Sequence, residues 1–183
     1  SDTAEGGPLS HTDEYTAAML EAMDLIWGEG FMAPGGEGHV RQLVRGLELG
    51  GRRVLDLGCG QGRPACLTAH WGAEVVATDL EAALGARARE RVEREGLGDR
   101  VRLLQVDAGP LTFADDSFDI IVVSGALTQI EDKLATYREC LRVLRPGGSL
   151  RCYDWMKPPG DLSDDMRDWF ELEGLTYALR TPN

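Results

Sequence analysis

The sequence predicts an α/β fold, a parallel sheet with helices on both faces, and three observations predict it. From residue 53 onward, short apolar runs alternate with stretches of helical period. The connections are short, so each helix must cross the sheet between neighbouring parallel strands. One run, FDIIVVSG (118–125), is almost continuously apolar, as befits a strand buried on both faces.

The elements follow in order. Residues 1–10 read as a loose polar tail, beginning at Ser1 as expected of a trimmed start. Thr12 can cap a first helix, Asp13 and Glu14 suit its first turn, and Tyr15, Met19, Met23 and Ile26 recur at helical spacing up to Trp27-Gly28. A loop rich in Gly and Pro, Gly28 to Gly38, leads to a second helix from about Glu37 to Leu49, stopped by Gly50-Gly51. RVLDLG (53–58) is a strand, followed by a glycine-rich turn and a helix to Trp71. EVVATD (74–79) is a second strand and Leu80 to Glu95 a charged amphipathic helix closed by Gly96. VRLLQVDA (101–108) and FDIIVVSG (118–125) are the third and fourth strands. Asp132 to Leu144 is a helix that Pro146-Gly147-Gly148 stops. SLRCYDW (149–155) is the fifth strand, and Ser163 can cap a last helix to about Gly174. The expected division is a tail and helical cap over residues 1–50 and one sheet domain over 51–183.

Composition narrows the function. A chain of 183 residues with 43% hydrophobic content supports one domain with a real core. Its 31 acidic against 19 basic residues give a net charge of -12, which repels phosphate backbones, so nucleic acid is not expected as a partner. No apolar run approaches membrane-spanning length, so membrane association is not expected either. Cys59, Cys66, Cys140 and Cys152 form no C-x-x-C pair, and His11, His39 and His70 are scattered, so no metal site is expected. The first residues carry no basic-then-apolar leader pattern, and four unpaired cysteines suit a reducing, cytoplasmic setting.

The strongest chemical signal is VLDLGCGQG, residues 54–62, where Gly58, Gly60 and Gly62 stand between a strand and a helix. Glycines there let the chain turn sharply and let a ligand approach the backbone. Dinucleotide enzymes use a similar loop, but their third glycine would fall at position 63, which is Arg63 here. Asp56, two residues before Gly58, would disfavour a pyrophosphate and suits a ligand with an ammonium group and no phosphate. The segment resembles motif I of the class I S-adenosylmethionine-dependent methyltransferases, whose fold is Rossmann-like, and further motifs follow in order.

That resemblance implies S-adenosylmethionine as cofactor. Asp79, ending the second strand with Leu80 after it, matches the family's ribose-binding acid, since a carboxylate accepts from two hydroxyls. Asp107, with Ala108 beside it, matches the residue that accepts from the adenine amino group. Ser124 and Gly125 match the strand end over the sulfonium, facing the substrate. LRVLRPGGSL (141–150) matches the turn before the fifth strand.

A closer resemblance covers about residues 12–178. EYTAAMLEAMDLIWGEGFMAPGG looks like the first helix and loop of phosphoethanolamine-type N-methyltransferases, and DWMKPPGDLSDDMRDWFELEGLTY is similar to the segment after their fifth strand. It implies Tyr15 as the catalytic tyrosine and places Met32 and Ala33 in the loop over the cofactor. The tyrosine's histidine partner in that family falls on Gln129 here. Its phosphate-gripping residues fall on Trp155, Trp169 and Glu173, and an acid in place of an arginine repels a phosphorylated substrate. The expected reaction is methyl transfer to a small-molecule acceptor, an unphosphorylated amine. Trp155, Trp169 or Tyr15 offer ring faces to a methylated ammonium. The alternatives are an O- or C-methyltransferase of a natural product or quinone-like acceptor, with Trp27, Phe31 and Met32 forming its pocket, and a non-catalytic cofactor-binding module. A dehydrogenase is disfavoured by Asp56 and Arg63.

The family's sheet ordinarily ends with two further strands, one antiparallel. About nine residues follow Gly174, so the sheet is expected to lack these last two strands and to have an open edge. A truncated chain, a homo-oligomer covering that edge, and a natural minimal form would each account for it.

Overall fold

The computed structural model describes residues 15–107, 109–173 and 177–182. Five strands, β1 (Arg53–Leu57), β2 (Glu74–Asp79), β3 (Val101–Gln105), β4 (Phe118–Ser124) and β5 (Leu144–Tyr153), form one sheet in the order β3-β2-β1-β4-β5. Every pairing is parallel. The strand order reverses between β1 and β4, where open α/β sheets bind ligands.

Pleating divides the core into two layers, because alternate residues face opposite sides of the sheet. Val54, Val75, Ala77 and Val122 face Ala65, Cys66 and Ala69 of α3 (Arg63–His70) and Val92 of α4 (Ala82–Arg94). Leu55, Leu57, Phe118 and Ile121 face Cys140 and Val143 of α5 (Lys133–Val143) on the other side. The helices on both faces are therefore as expected. Asp132 caps α5, its side chain accepting from Ala135 N, and Ser163 caps α6 (Asp164–Glu173), accepting from Met166 N.

The boundaries differ where tertiary contacts outweigh local pattern. The first helix, α1 (Ala17–Trp27), is capped by Thr16, whose side chain accepts from Met19 N. Tyr15 therefore precedes the helix. Leu20 and Met23 pack inward with it while Ile26 is exposed, so the expected stripe is replaced by a narrower one. Thr12, Asp13 and Glu14 lie outside the described residues. The second helix, α2 (Gly36–Leu43), stops six residues short of Leu49, in a turn that holds Gly46 at φ +78°. β3 ends at Gln105, three residues early, so Asp107 sits in the loop beyond it. β5 begins at Leu144 rather than at 149: Leu144 pairs with Phe118 and Ser149 with Ile120, making Arg145–Gly148 a bulge inside the ladder. A 3₁₀ helix, Ala126–Gln129, follows β4 and was not expected.

β5 is a sheet edge, and most of its residues are exposed or only half-buried. Among the described residues, no helix is long and apolar enough to cross a membrane.

Gly62 caps α3 at φ +82°, and a Cβ there would lie 2.8 Å from Ala88 Cβ and 3.0 Å from Ala88 Cα in α4. Left-handed strain and overpacking then add, so Gly62→Ala is expected to destabilise the chain by about 2–5 kcal/mol in denaturant unfolding. A loss below about 1 kcal/mol would show that α3 and α4 can separate freely.

Candidate active site

The carboxyl ends of β1, β2 and β4 open into a cavity of about 510 Å³. The residues that the sequence assigned to catalysis or to the cofactor line it, apart from Gly62 and the undescribed Ala108. Gly62 instead seats α3 against α4, and Ala108 lies outside the described residues.

The glycine-rich loop is held by backbone bonds, Gly58 N and Cys59 N both donating to Thr78 O at 2.8 and 2.9 Å. Gly60 (φ +55°) donates from its N–H to Asp79 Oδ2 at 2.8 Å, and Glu81 N donates to Asp79 Oδ1 at 3.0 Å. A Cβ on Gly60 would meet Met32 Cγ at 2.7 Å, so only glycine lets the loop over residues 28–35 close onto it. Both Asp79 oxygens thus carry one backbone bond and keep further acceptor capacity. Burial raises the Asp79 pKa against the pull of these N–H groups. Leu80 is a partly exposed apolar side chain on the same wall, and Asp107 stands at the far end, its Oδ1 accepting from Gly109 N.

Asp56 is the electrostatic centre. It is 1% exposed, and its Oδ2 has no hydrogen-bond partner. Burial, and then the charge of Asp79, push its pKa up to about 7. A buried carboxylate oxygen without a partner is costly, and a donor brought by a ligand, most of all a cationic one, would relieve it. No lysine or arginine lies among the described lining residues, whereas Asp56, Asp79, Glu81, Asp107 and Glu131 do. Among the described lining residues no Lys or Arg side chain answers Asp56.

The cap closes the other side. Gln129 Nε2 donates to Tyr15 Oη at 3.0 Å, joining residues 114 positions apart. Tyr15 packs with Leu20, Met23 and Leu84, with Met32 and Tyr177 beside them. Gln61, 1% exposed, ties the cap to the glycine loop: its Nε2 donates to Asp24 Oδ1 at 3.1 Å, and Asp24 Oδ1 also accepts from Gly30 N at 2.8 Å. Ser124 and Gly125 form the wall at the end of β4, with Gly125 N bonded to Tyr153 O.

Sequence reasoning passed over Gln61, Tyr177 and His39. His39 lies one turn into α2, just beyond the loop that carries Met32 and Ala33, and that proximity is its only sequence signal. Trp155 lines the cavity, but Trp169 does not, and Trp27 packs with the cap cluster rather than in the cavity. Phe31 and Met32 do line it. The side chain of Glu173 lies outside the described residues.

A model of the methyltransferase domain family matches residues 55–152, more than half of the chain. The chain belongs to this methyltransferase domain family. Over 125 residues it is 42% identical to the methyltransferase GfsG of Streptomyces halstedii, covering 67% of this chain and 45% of that protein. Over 178 residues it is 29% identical to phosphoethanolamine N-methyltransferase 1 of Zea mays, covering 95% of this chain and 35% of that protein. A solved structure of Haemonchus contortus phosphoethanolamine N-methyltransferase 2, in complex with phosphomonomethylethanolamine and S-adenosylhomocysteine, superposes with a TM-score of 0.84 at 28% identity. That match covers 93% of this chain and 40% of the other. The resemblance to class I methyltransferases, near the phosphoethanolamine N-methyltransferases, therefore stands. The chain spans less than half the length of each of these relatives.

Proposed function

We propose that this methyltransferase domain binds S-adenosylmethionine and transfers its methyl group to a small unphosphorylated acceptor, an amine. The observation that carries this is the unpartnered, buried Asp56 oxygen in a cavity whose described lining holds no cation. The cofactor's amino-acid end offers an ammonium, and its uncharged adenosine needs no phosphate cradle. Asp56 would hold the ammonium, Asp79 the two ribose hydroxyls and Asp107 the adenine amino group. Met32 and Ala33 would cover the cofactor, and Ser124 with Gly125 would stand where methyl donor and acceptor meet. When bound, S-adenosylmethionine supplies an electrophilic methyl group, so the chain's own residues bind, align and exclude water.

Tyr15 orients the acceptor, and Gln129 holds Tyr15; an amide cannot take a proton. The acidic lining and the Trp155 ring favour a neutral or cationic amine over a phosphorylated one. In this reading residues up to 50 form a cap and 51–183 the cofactor-binding domain. The buried free thiols of Cys59, Cys66 and Cys140 support placement in a reducing compartment. A second reading, an oxygen or carbon acceptor, is favoured by Phe31 and Met32 in the lining.

Calorimetric titration with S-adenosylmethionine, S-adenosylhomocysteine and NAD tests the proposal, with binding of the first two alone expected. Methyl transfer is then compared between ethanolamine and catechol, amine turnover being expected to dominate. Tyr15→Phe should leave S-adenosylhomocysteine affinity within about twofold and lower turnover by roughly 10- to 100-fold. Absence of binding by the two sulfur ligands would overturn the cofactor assignment.

A further inference from the structure

His39 faces the same cavity from α2, and its Nε2 lies 3.2 Å from Ser124 Oγ at the end of β4. The Tyr153 ring packs against the imidazole, with centroids 3.9 Å apart and planes at 57°, fixing its orientation. An amine acceptor has to shed a proton, and Gln129, the group paired with Tyr15, does not titrate. Asp56, Asp79 and Asp107 are assigned to the cofactor in the reading above, Glu81 follows Asp79 by two residues on the same wall, and Glu131 is exposed. His39 is the one imidazole on the described lining, and it is joined to a hydroxyl at the end of β4, where that reading places the acceptor.

We propose that Ser124 and His39 form a proton relay for the methyl acceptor, with His39 as the terminal base. This rests on the methyltransferase reading above. The acceptor enters as its ammonium: one N–H bond breaks, the electron pair stays on nitrogen, and the proton passes to Ser124 Oγ. The proton already on Oγ moves to His39 Nε2, giving an imidazolium that later returns it to water. The nitrogen pair is then available to the methyl group. The relay requires the ring to rest neutral with its proton on Nδ1, so that Nε2 accepts from Ser124. Burial favours the neutral ring, lowering the His39 pKa.

Two measurements test the relay. Long-range ¹H–¹⁵N spectra at pH 7.5, with His39→Asn identifying the signal, should show a protonated Nδ1 and a bare Nε2 whose shift moves in Ser124→Ala. A protonated Nε2 overturns the relay. In ethanolamine methylation, His39→Asn and His39→Gln should lower kcat by about 100-fold or more, with KM within about threefold and S-adenosylhomocysteine affinity unchanged. A kcat within about threefold of the parent overturns it as well. If the parent chain binds no S-adenosylhomocysteine, the cofactor reading fails. The tautomer measurement, which needs neither cofactor nor acceptor, still decides the His39–Ser124 pair.

Discussion

Asp79→Ala is expected to abolish useful affinity for S-adenosylmethionine and S-adenosylhomocysteine. The carboxylate accepts from Gly60 N and Glu81 N, so it shapes the glycine loop while facing the cavity. Two hydroxyl bonds to a charged acceptor contribute about 1.5–3 kcal/mol each, so their joint loss corresponds to roughly 10²–10⁴ in Kd. Gly60 N and Glu81 N also lose their acceptor, which loosens the loop that Met32 closes over. Calorimetry on the variant checks this, and an affinity within about threefold of the parent would refute the ribose assignment. Asp79→Asn should fall between the two, because an amide oxygen can accept but carries no charge.

Ligand affinity should also rise steeply with pH on the acid side of neutrality. Asp56 has a pKa of about 7 in the ligand-free protein, with burial as the main cause and Asp79 the second. A cationic ligand prefers the ionised carboxylate, so binding is expected to weaken by roughly tenfold per pH unit below 7 and to level off above it. Stability of the ligand-free chain has the opposite sign. The folded pKa of Asp56 lies above its ordinary value of 3.8, so the folded state binds the extra proton. This group therefore lowers stability as pH rises from about 4 to 7, and not beyond. Ligand-induced thermal stabilisation should consequently be larger at pH 8 than at pH 6. Asp56→Asn removes the acid limb, and an affinity in the parent that stays flat between pH 5.5 and 8 would exclude Asp56 as the ammonium partner.

Much of this site could be read before any fold was available, because its signals are local. Gly58 and Gly60 follow a short apolar strand run, and Asp56, Asp79 and Asp107 stand near, at or just past strand ends. Parallel α/β topology brings such ends together at one edge of the sheet. The pairing of Tyr15 with Gln129 was legible only through resemblance, since no periodicity links positions 114 residues apart. Helix boundaries were less legible: Thr12 and Thr16 are equally good caps by residue type, and the packing of Tyr15 beneath the cap accompanies Thr16. Likewise, Pro146-Gly147-Gly148 signals a break, but only pairing with β4 makes it a bulge within a strand.

The sequence by itself determined the strand order, the glycine turn and the placing of Asp56, Asp79 and Asp107 at or near strand ends, since each depends on neighbours within a few residues. Only the tertiary structure decided that Asp56 is sealed from water with an unpartnered oxygen. It also decided that His39 meets Ser124 across 85 residues, and that Trp169 stays out of the cavity that Trp155 lines. Burial and long-range contact depend on how whole layers pack, and no window of sequence contains them.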